Sequence, residues 1–270
     1  MDPTETLRWG QPLLAAIDAL DPGAPAAVLI RHSKREPLRD MAVADGVPLT
    51  PAGEEAALEF GRRLPRSFTV RLWHSPIDRC RVTAARIAEG FTAGGGTVRN
   101  EGVLSILGGP YVIDMGGMLK LITELGARYA RAWFDGQLPP SVMEPREQAT
   151  RDNLAAAGKL LVEAAPGTLL LLVTHDWNVM LVRETVLGLT HEQVGWLDYL
   201  DGVILRRVGP DLHVAWREHR RRVSLAELLG SAPPSTPSAP TPAPPPPAAA
   251  PAQLRPRTPS PALPRRSPAA

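Results

Sequence analysis

Four short apolar runs constrain this chain more than any other feature: Ala26–Ile30, Phe68–Trp73, Leu169–Val173 and Gly202–Val208. Each is short for a helix, and each is rich in apolar residues. Each therefore reads as a strand covered on both sides. Between them lie helical periodicities. Over Pro51–Leu64, the residues Ala57, Phe60, Gly61 and Leu64 share a face. Thr50 suits the N-cap, Pro51 the first helical position, and Glu54 and Glu55 the positive start of the helix dipole. Over Ile77–Gly90, the residues Ile77, Cys80, Ala84, Ile87 and Ala88 share a face, behind the start signal Ser75-Pro76. Further helices are predicted over Met118–Phe134, Arg146–Ala164 and Asn178–Leu187. Strands alternating with helices predict an α/β fold, a three-layer sandwich with a mostly parallel central sheet flanked by helices. The glycine-rich residues 92–117 predict loops and a lid.

The end of the chain is of another kind. Of 30 prolines, 15 fall in residues 231–270, among Ala, Ser, Thr and Arg. Such a segment buries too little apolar surface to offset its ordering entropy. A disordered Pro/Ala-rich tail is expected over 231–270, behind one α/β domain over 1–230. The tail reads as a spacer or as a docking segment for a partner that binds polyproline II. Its four arginines exceed the net charge of +2, leaving residues 1–230 at −2. A basic folded face is therefore not expected, and with it no nucleic-acid partner. The single cysteine excludes an intrachain disulfide framework. No apolar run approaches the ~20 residues of a membrane span, and Met1 to Gly10 does not read as a secretory signal. A cytoplasmic protein with no membrane association is expected.

In open α/β sheets, ligands bind beyond the carboxyl ends of the strands. Three strand ends here carry chemistry. The first run is followed by Arg31-His32-Ser33-Lys34-Arg35-Glu36-Pro37, the second by His74-Ser75-Pro76-Ile77-Asp78-Arg79, and the third by Thr174-His175-Asp176. Histidines, arginines and a carboxylate at one edge suit a phosphoryl group. Arginine offers a planar fork matched to phosphate oxygens. Arg79 falls in the first turn of a predicted helix, where an anion is favoured. Neutral histidine carries a phosphoryl group on nitrogen, and a nearby carboxylic acid protonates a leaving alkoxide.

These segments resemble the histidine phosphatase superfamily, which includes phosphoglycerate mutases and histidine acid phosphatases. Arg31-His32-Ser33-Lys34-Arg35-Glu36-Pro37 resembles its R-H-G-x-R-x-P signature, with Ser33 in place of glycine. Ser75 to Ala84 resembles its S-P-x-x-R-x-x-x-T-A element, Leu49 to Gly53 its L-T-x-x-G element, and Thr174-His175-Asp176 the H-D pair of the acid-phosphatase branch. The resemblance spans about residues 25–210. It implies that His32 is the nucleophile and becomes phosphohistidine, that Arg31, Arg35 and Arg79 bind phosphate, that His175 is the second pocket histidine, and that Asp176 is the proton donor. The mutase-like branch takes its donor from a glutamate after the S-P-x-x-R helix, which makes Glu101 the alternative. The implied activity is metal-independent hydrolysis of phosphate monoesters with no cofactor, acting on a small phosphorylated substrate or a phosphoprotein. An insert over about 101–145, with Leu107 to Tyr111, is expected to cover the site and choose that substrate.

Other readings stay open. A mutase-like phosphotransferase would use the same residues. A non-catalytic phospho-ligand binder or scaffold with a docking tail would too, and Ser33 is the feature that favours it. His32 alone would read as a structural histidine, and Asp176 alone as a helix cap. Cys80 and Arg86 have the C-x5-R spacing of cysteine phosphatases, but Cys80 falls on an apolar helix face and reads as a small buried hydrophobe. The histidines lack zinc-ligand spacing, so no metal site is expected.

Overall fold

The computed structural model describes residues 9–38 and 40–230. The tail expected over 231–270, and any docking role for it, lie outside the described residues. Seven strands form one sheet: β1 (Ala26–Arg31), β2 (Thr69–His74), β3 (Val98–Val103), β4 (Thr168–Thr174), β5 (Gly202–Val208), β6 (Asp211–Trp216) and β7 (His219–Ser224). Their order is β3-β2-β4-β1-β5-β6-β7. The first four in that order run parallel, and β5, β6 and β7 continue the sheet antiparallel.

The buried apolar runs are the inner strands, and alternate residues face opposite layers. Ala26, Val28 and Ile30, with Leu169, Leu171 and Val173, pack under α1 (Gln11–Asp18), α2 (Pro51–Arg63) and α3 (Asp78–Ala93). Ala27 and Leu29, with Leu170 and Leu172, face α6 (Arg146–Glu163) and α7 (Asp176–Leu187). Two apolar cores on the two faces of one sheet make the three layers.

Local signals explain the helix boundaries. Thr50 Oγ1 accepts from Gly53 N at 2.9 Å, Pro51 opens α2 and Glu54 sits in its first turn. The helices α2 and α3 meet backbone to backbone through two glycines. A Cβ on Gly61 would stand 2.1 Å from Ile87 O, and one on Gly90 would stand 2.0 Å from Leu58 O. Only glycine permits that approach.

Two expectations need correction. Residues 92–117 are not loop throughout: Val98–Val103 is edge strand β3, paired with β2. Its exposed and half-buried polar residues hide it from a search for apolar runs. The helix predicted over Met118–Phe134 is interrupted. It comprises α4 (Met115–Leu125), a tight turn over Gly126–Arg128, and α5 (Tyr129–Phe134). Gly126 breaks the helix by taking φ 54°, a left-handed conformation that glycine adopts without strain. Two short helices, α8 (His191–Val194) and α9 (Leu225–Gly230), complete the described fold. Among the described residues, no helix is long and apolar enough to cross a membrane.

Candidate active site

The strand registers bring three chain segments level at one sheet edge. Arg31 lies opposite Thr174, and His74 opposite Val173. The ladder continues a step further, with His32 N donating to Thr174 O at 2.8 Å and Ser75 N to Val173 O at 2.9 Å. His32, Ser75 and His175 therefore leave the sheet together. Helix α7 begins directly after His175, and Arg79 enters from the first turn of α3.

His32 is the centre of the cluster and is buried. Its Nδ1 lies 2.7 Å from Ser33 O, a position only a protonated nitrogen can hold. That fixes the tautomer and leaves Nε2 with its lone pair. Arg79 Nε donates to that Nε2 at 3.2 Å, and Arg79 Nη2 donates to His175 Nδ1 at 3.1 Å. One guanidinium thus bridges both imidazoles, whose ring centroids lie 5.5 Å apart. His175 Nε2 completes its pairing with Ser75 Oγ at 2.9 Å.

Electrostatics keep both rings neutral. Burial, reinforced by Arg31, His175 and Arg79, holds His32 well below the ordinary imidazole value. Burial and Arg79 bring His175 down to about 3. A histidine without its proton is the form that attacks phosphorus.

Arg31 Nη2 meets Asp176 Oδ2 at 2.9 Å, and Trp196 Nε1 donates to the same oxygen at 2.9 Å. Arg31 also donates to Leu197 O and lies 4.2 Å from the Tyr199 ring centroid. Burial pushes the Asp176 carboxyl up, but the Arg31 guanidinium and the Trp196 hydrogen bond outweigh it and leave it at about 2. Arg35 lines the same cavity, its Nη1 donating to Glu36 O. Ser33 is turned away, its hydroxyl donating to Gly53 O at 2.6 Å.

Glu101 is not part of this cluster. It sits on β3, where its Oε1 accepts from Arg71 Nε at 2.7 Å and lies 2.9 Å from Arg99 Nε. The carboxylates lining the cavity, among the described residues, are Asp176 and Asp45. Cys80 is fully buried, 3.6 Å from His175 Nε2, and burial pushes its thiol up to about 12. A thiol so placed stays protonated.

The cavity above these residues has a volume of about 1040 Å³. Sequence reasoning missed much of its wall. Met41 and Asp45 come from a short 3₁₀ segment over Met41–Gly46, whose Ala44 O accepts from Arg79 Nη1 at 2.7 Å. Tyr129, Trp177 and Trp196 arrive from three separate elements. No spacing in the sequence links them; the clue was that they are large aromatics in a chain with few. Gly108, Gly109 and Tyr111, expected at the approach to the site, do line it. Among the described residues, no group of three or more His, Cys, Asp or Glu side chains is arranged to hold a metal ion.

Comparison with known proteins fits this geometry. The family model of the histidine phosphatase superfamily (branch 1) matches residues 27–207. No curated protein matches the chain. Among solved structures, a mycobacterial glucosyl-3-phosphoglycerate phosphatase is similar at 19% identity and TM-score 0.51, over 74% of this chain and 98% of that one. Mycobacterial hydrolase 2 is similar at 18% identity and TM-score 0.50, over 75% of this chain and 94% of that one. The matched span contains His32, Arg79 and His175, and it runs from the first buried strand into β5, so the chain belongs to the histidine phosphatase superfamily.

Proposed function

We propose that this protein hydrolyses phosphate monoesters through a phosphohistidine on His32, with a small phosphorylated molecule as its substrate. The observation that carries the reading is the state of His32: a buried, neutral imidazole whose proton is fixed on Nδ1 by Ser33 O, while Nε2 faces the Arg79 guanidinium. A phosphoryl group entering that space would replace the histidines as partner of Arg79 and meet Arg31 and Arg35 as well. Those charges neutralise oxygens that gain charge in the transition state, without reorganising at the moment of reaction.

Nε2 of His32 forms a bond to phosphorus as the bond from phosphorus to the alcohol oxygen breaks. Asp176 gives the leaving oxygen its proton. Water then attacks phosphorus, returns a proton to Asp176, and the nitrogen–phosphorus bond breaks to release phosphate. Asp176 is ionised in the empty site, so it takes up its proton as the substrate binds, when phosphoryl charge stands beside it and competes for Arg31. Once Arg79 has turned to the ligand, His175 Nδ1 faces the phosphoryl group, and it donates to a phosphoryl oxygen after the neutral ring has exchanged its proton from Nε2 to Nδ1, with Ser75 Oγ donating to Nε2 in return.

The test is hydrolysis of p-nitrophenyl phosphate in EDTA by the full chain, His32→Ala and Cys80→Ser, with acid- and alkali-stability of any label trapped on the protein. The expected result is a loss of at least about 10³-fold in His32→Ala alone, with an acid-labile, alkali-stable label in the parent. Retained turnover in His32→Ala, or loss confined to Cys80→Ser, overturns the reading.

A further inference from the structure

The charged floor fills only one end of the cavity. Above it the wall is apolar: Val112, Met115, Met118, Ile122, Ala127 and Ala130 on one side, Leu38, Met41 and Ile77 on the other. Trp177 and Trp196 add aromatic surface to the same lining. No lysine lines the cavity among the described residues, and its arginines are the three of the floor. Of the remaining titratable groups, Asp45 is a carboxylate, and His191 is held by Glu184 Oε1 at 2.7 Å from its Nδ1.

The rim continues the pattern. Val43, Ile113, Met115 and Trp196 are large apolar side chains at least 45% exposed. Met115 and Trp196 line the cavity itself, Val43 belongs to the 3₁₀ segment that supplies Met41, Ala44 and Asp45 to it, and Ile113 follows the lining residue Val112. Exposed apolar residues gathered around one opening mark a surface that a ligand covers. The helix α4 that forms much of the roof has one buried residue, Met118, and apolar half-buried ones beside it. One polar point interrupts the wall. Tyr129 is buried and its hydroxyl has no partner, whereas Tyr111 Oη donates to Asn178 Oδ1 at 3.0 Å.

We infer that the substrate is the phosphate monoester of a predominantly apolar alcohol, alkyl or aryl, carrying no second anionic group and at most a hydrogen-bonding atom within reach of Tyr129. This rests on the phosphatase reading, but the apolar wall is a separate observation. A substrate with a second phosphate or a carboxylate would find the floor already committed to its phosphoryl group. Above the floor it would meet Asp45 and apolar surface, with no arginine or lysine among the described residues to receive it. An apolar chain instead gains by leaving water, and it gains with length until the cavity is filled.

The experiment measures kcat/KM of the full chain on n-alkyl phosphates from ethyl to hexyl, on 1-naphthyl phosphate and on O-phosphoserine. Binding of the matching n-alkylphosphonates, which cannot be hydrolysed, is measured by calorimetry. The expected result is a two- to fourfold rise in kcat/KM per added methylene, a parallel fall in Kd of the phosphonates, and phosphoserine at least about 10²-fold below hexyl phosphate. Met115→Glu replaces an exposed side chain, so folding is not at stake, and it should lower the hexyl-to-ethyl ratio at least tenfold. Turnover with a flat series, or with phosphoserine preferred, overturns the substrate class and leaves the phosphatase reading standing. No turnover of any ester, with phosphonates binding more tightly as they lengthen, overturns the phosphatase reading and leaves the ligand class standing. Phosphonate affinity independent of length overturns the inference whatever the turnover.

Discussion

Arg31 and Asp176 face each other across the ends of two neighbouring strands, Nη2 to Oδ2 at 2.9 Å, with Trp196 holding the same oxygen from the other side. The pair serves two tasks that compete. While it is closed, Asp176 is ionised and Arg31 is spoken for. On the proposed mechanism, a phosphoryl group would open it by offering Arg31 more negative charge than one carboxylate does. In that mechanism, substrate binding and protonation of the acid are thereby one event.

Asp176→Asn separates those tasks. The amide cannot donate an acidic proton, so kcat on ethyl phosphate should fall by about 10²- to 10⁴-fold. p-Nitrophenolate leaves without a proton, so p-nitrophenyl phosphate should lose far less. Arg31, released from its counter-charge, should hold product phosphate more tightly. Steady-state kinetics on the two esters with phosphate as inhibitor checks both parts. An equal loss on both esters would mean that Asp176 does not protonate the leaving group.

The neutral histidines set a pH dependence of stability. In the unfolded chain His175 titrates near 6.5, whereas in the fold burial and Arg79 bring it to about 3. Between those values the unfolded chain binds the extra proton, so stability falls as pH falls through that window. At about pH 5.5, one unit below the unfolded value, His175 alone should cost about 1.4 kcal/mol relative to neutral pH. His32 acts in the same direction. Thermal unfolding of the full chain and His175→Gln at about pH 7.5 and about pH 5.5 is the check. The parent should lose about 3–5 °C more than the variant.

The contact between α2 and α3 fixes where Arg79 enters the site. A methyl at Gly61 would meet the Ile87 carbonyl, which is backbone and cannot turn aside. Gly61→Ala should therefore destabilise by about 1–3 kcal/mol despite alanine's better helix propensity. It should also raise KM for p-nitrophenyl phosphate as α3 shifts. Urea unfolding and kinetics on one preparation measure both.

Cys80 should be inert. Its thiol is buried and its pKa is raised, so iodoacetamide should label it only in denaturant. Activity should survive the treatment of folded protein. Mass spectrometry with and without urea decides it.

Much of this was legible from residue order. The four apolar runs became inner strands because covering both faces leaves a continuous apolar signature, and Thr50-Pro51 opened its helix where capping chemistry required. The three strand-end clusters met because parallel strands in register end level, which a one-dimensional reading anticipates once the strands are placed. What escaped was whatever lacks an apolar run or a motif. Strands β6 and β7 form an antiparallel hairpin whose outer member reads His-Arg-Arg-Arg-Val-Ser, an edge pattern with no inner face. The break at Gly126 escaped because glycine does not interrupt a helical period in sequence, only in φ. Asp45, Tyr129, Trp177 and Trp196 escaped because tertiary structure alone brings them together.

The floor of the cavity and its roof are encoded differently. Arg31, His32, Arg35, Arg79 and His175 come from three strand ends dispersed along the chain, whereas much of the apolar wall comes from the one segment Gly108 to Ala130, with Leu38, Met41, Ile77, Trp177 and Trp196 completing it. Exchanging that one segment would therefore reshape much of the wall and leave the charged floor in place, while no local exchange could move the floor itself.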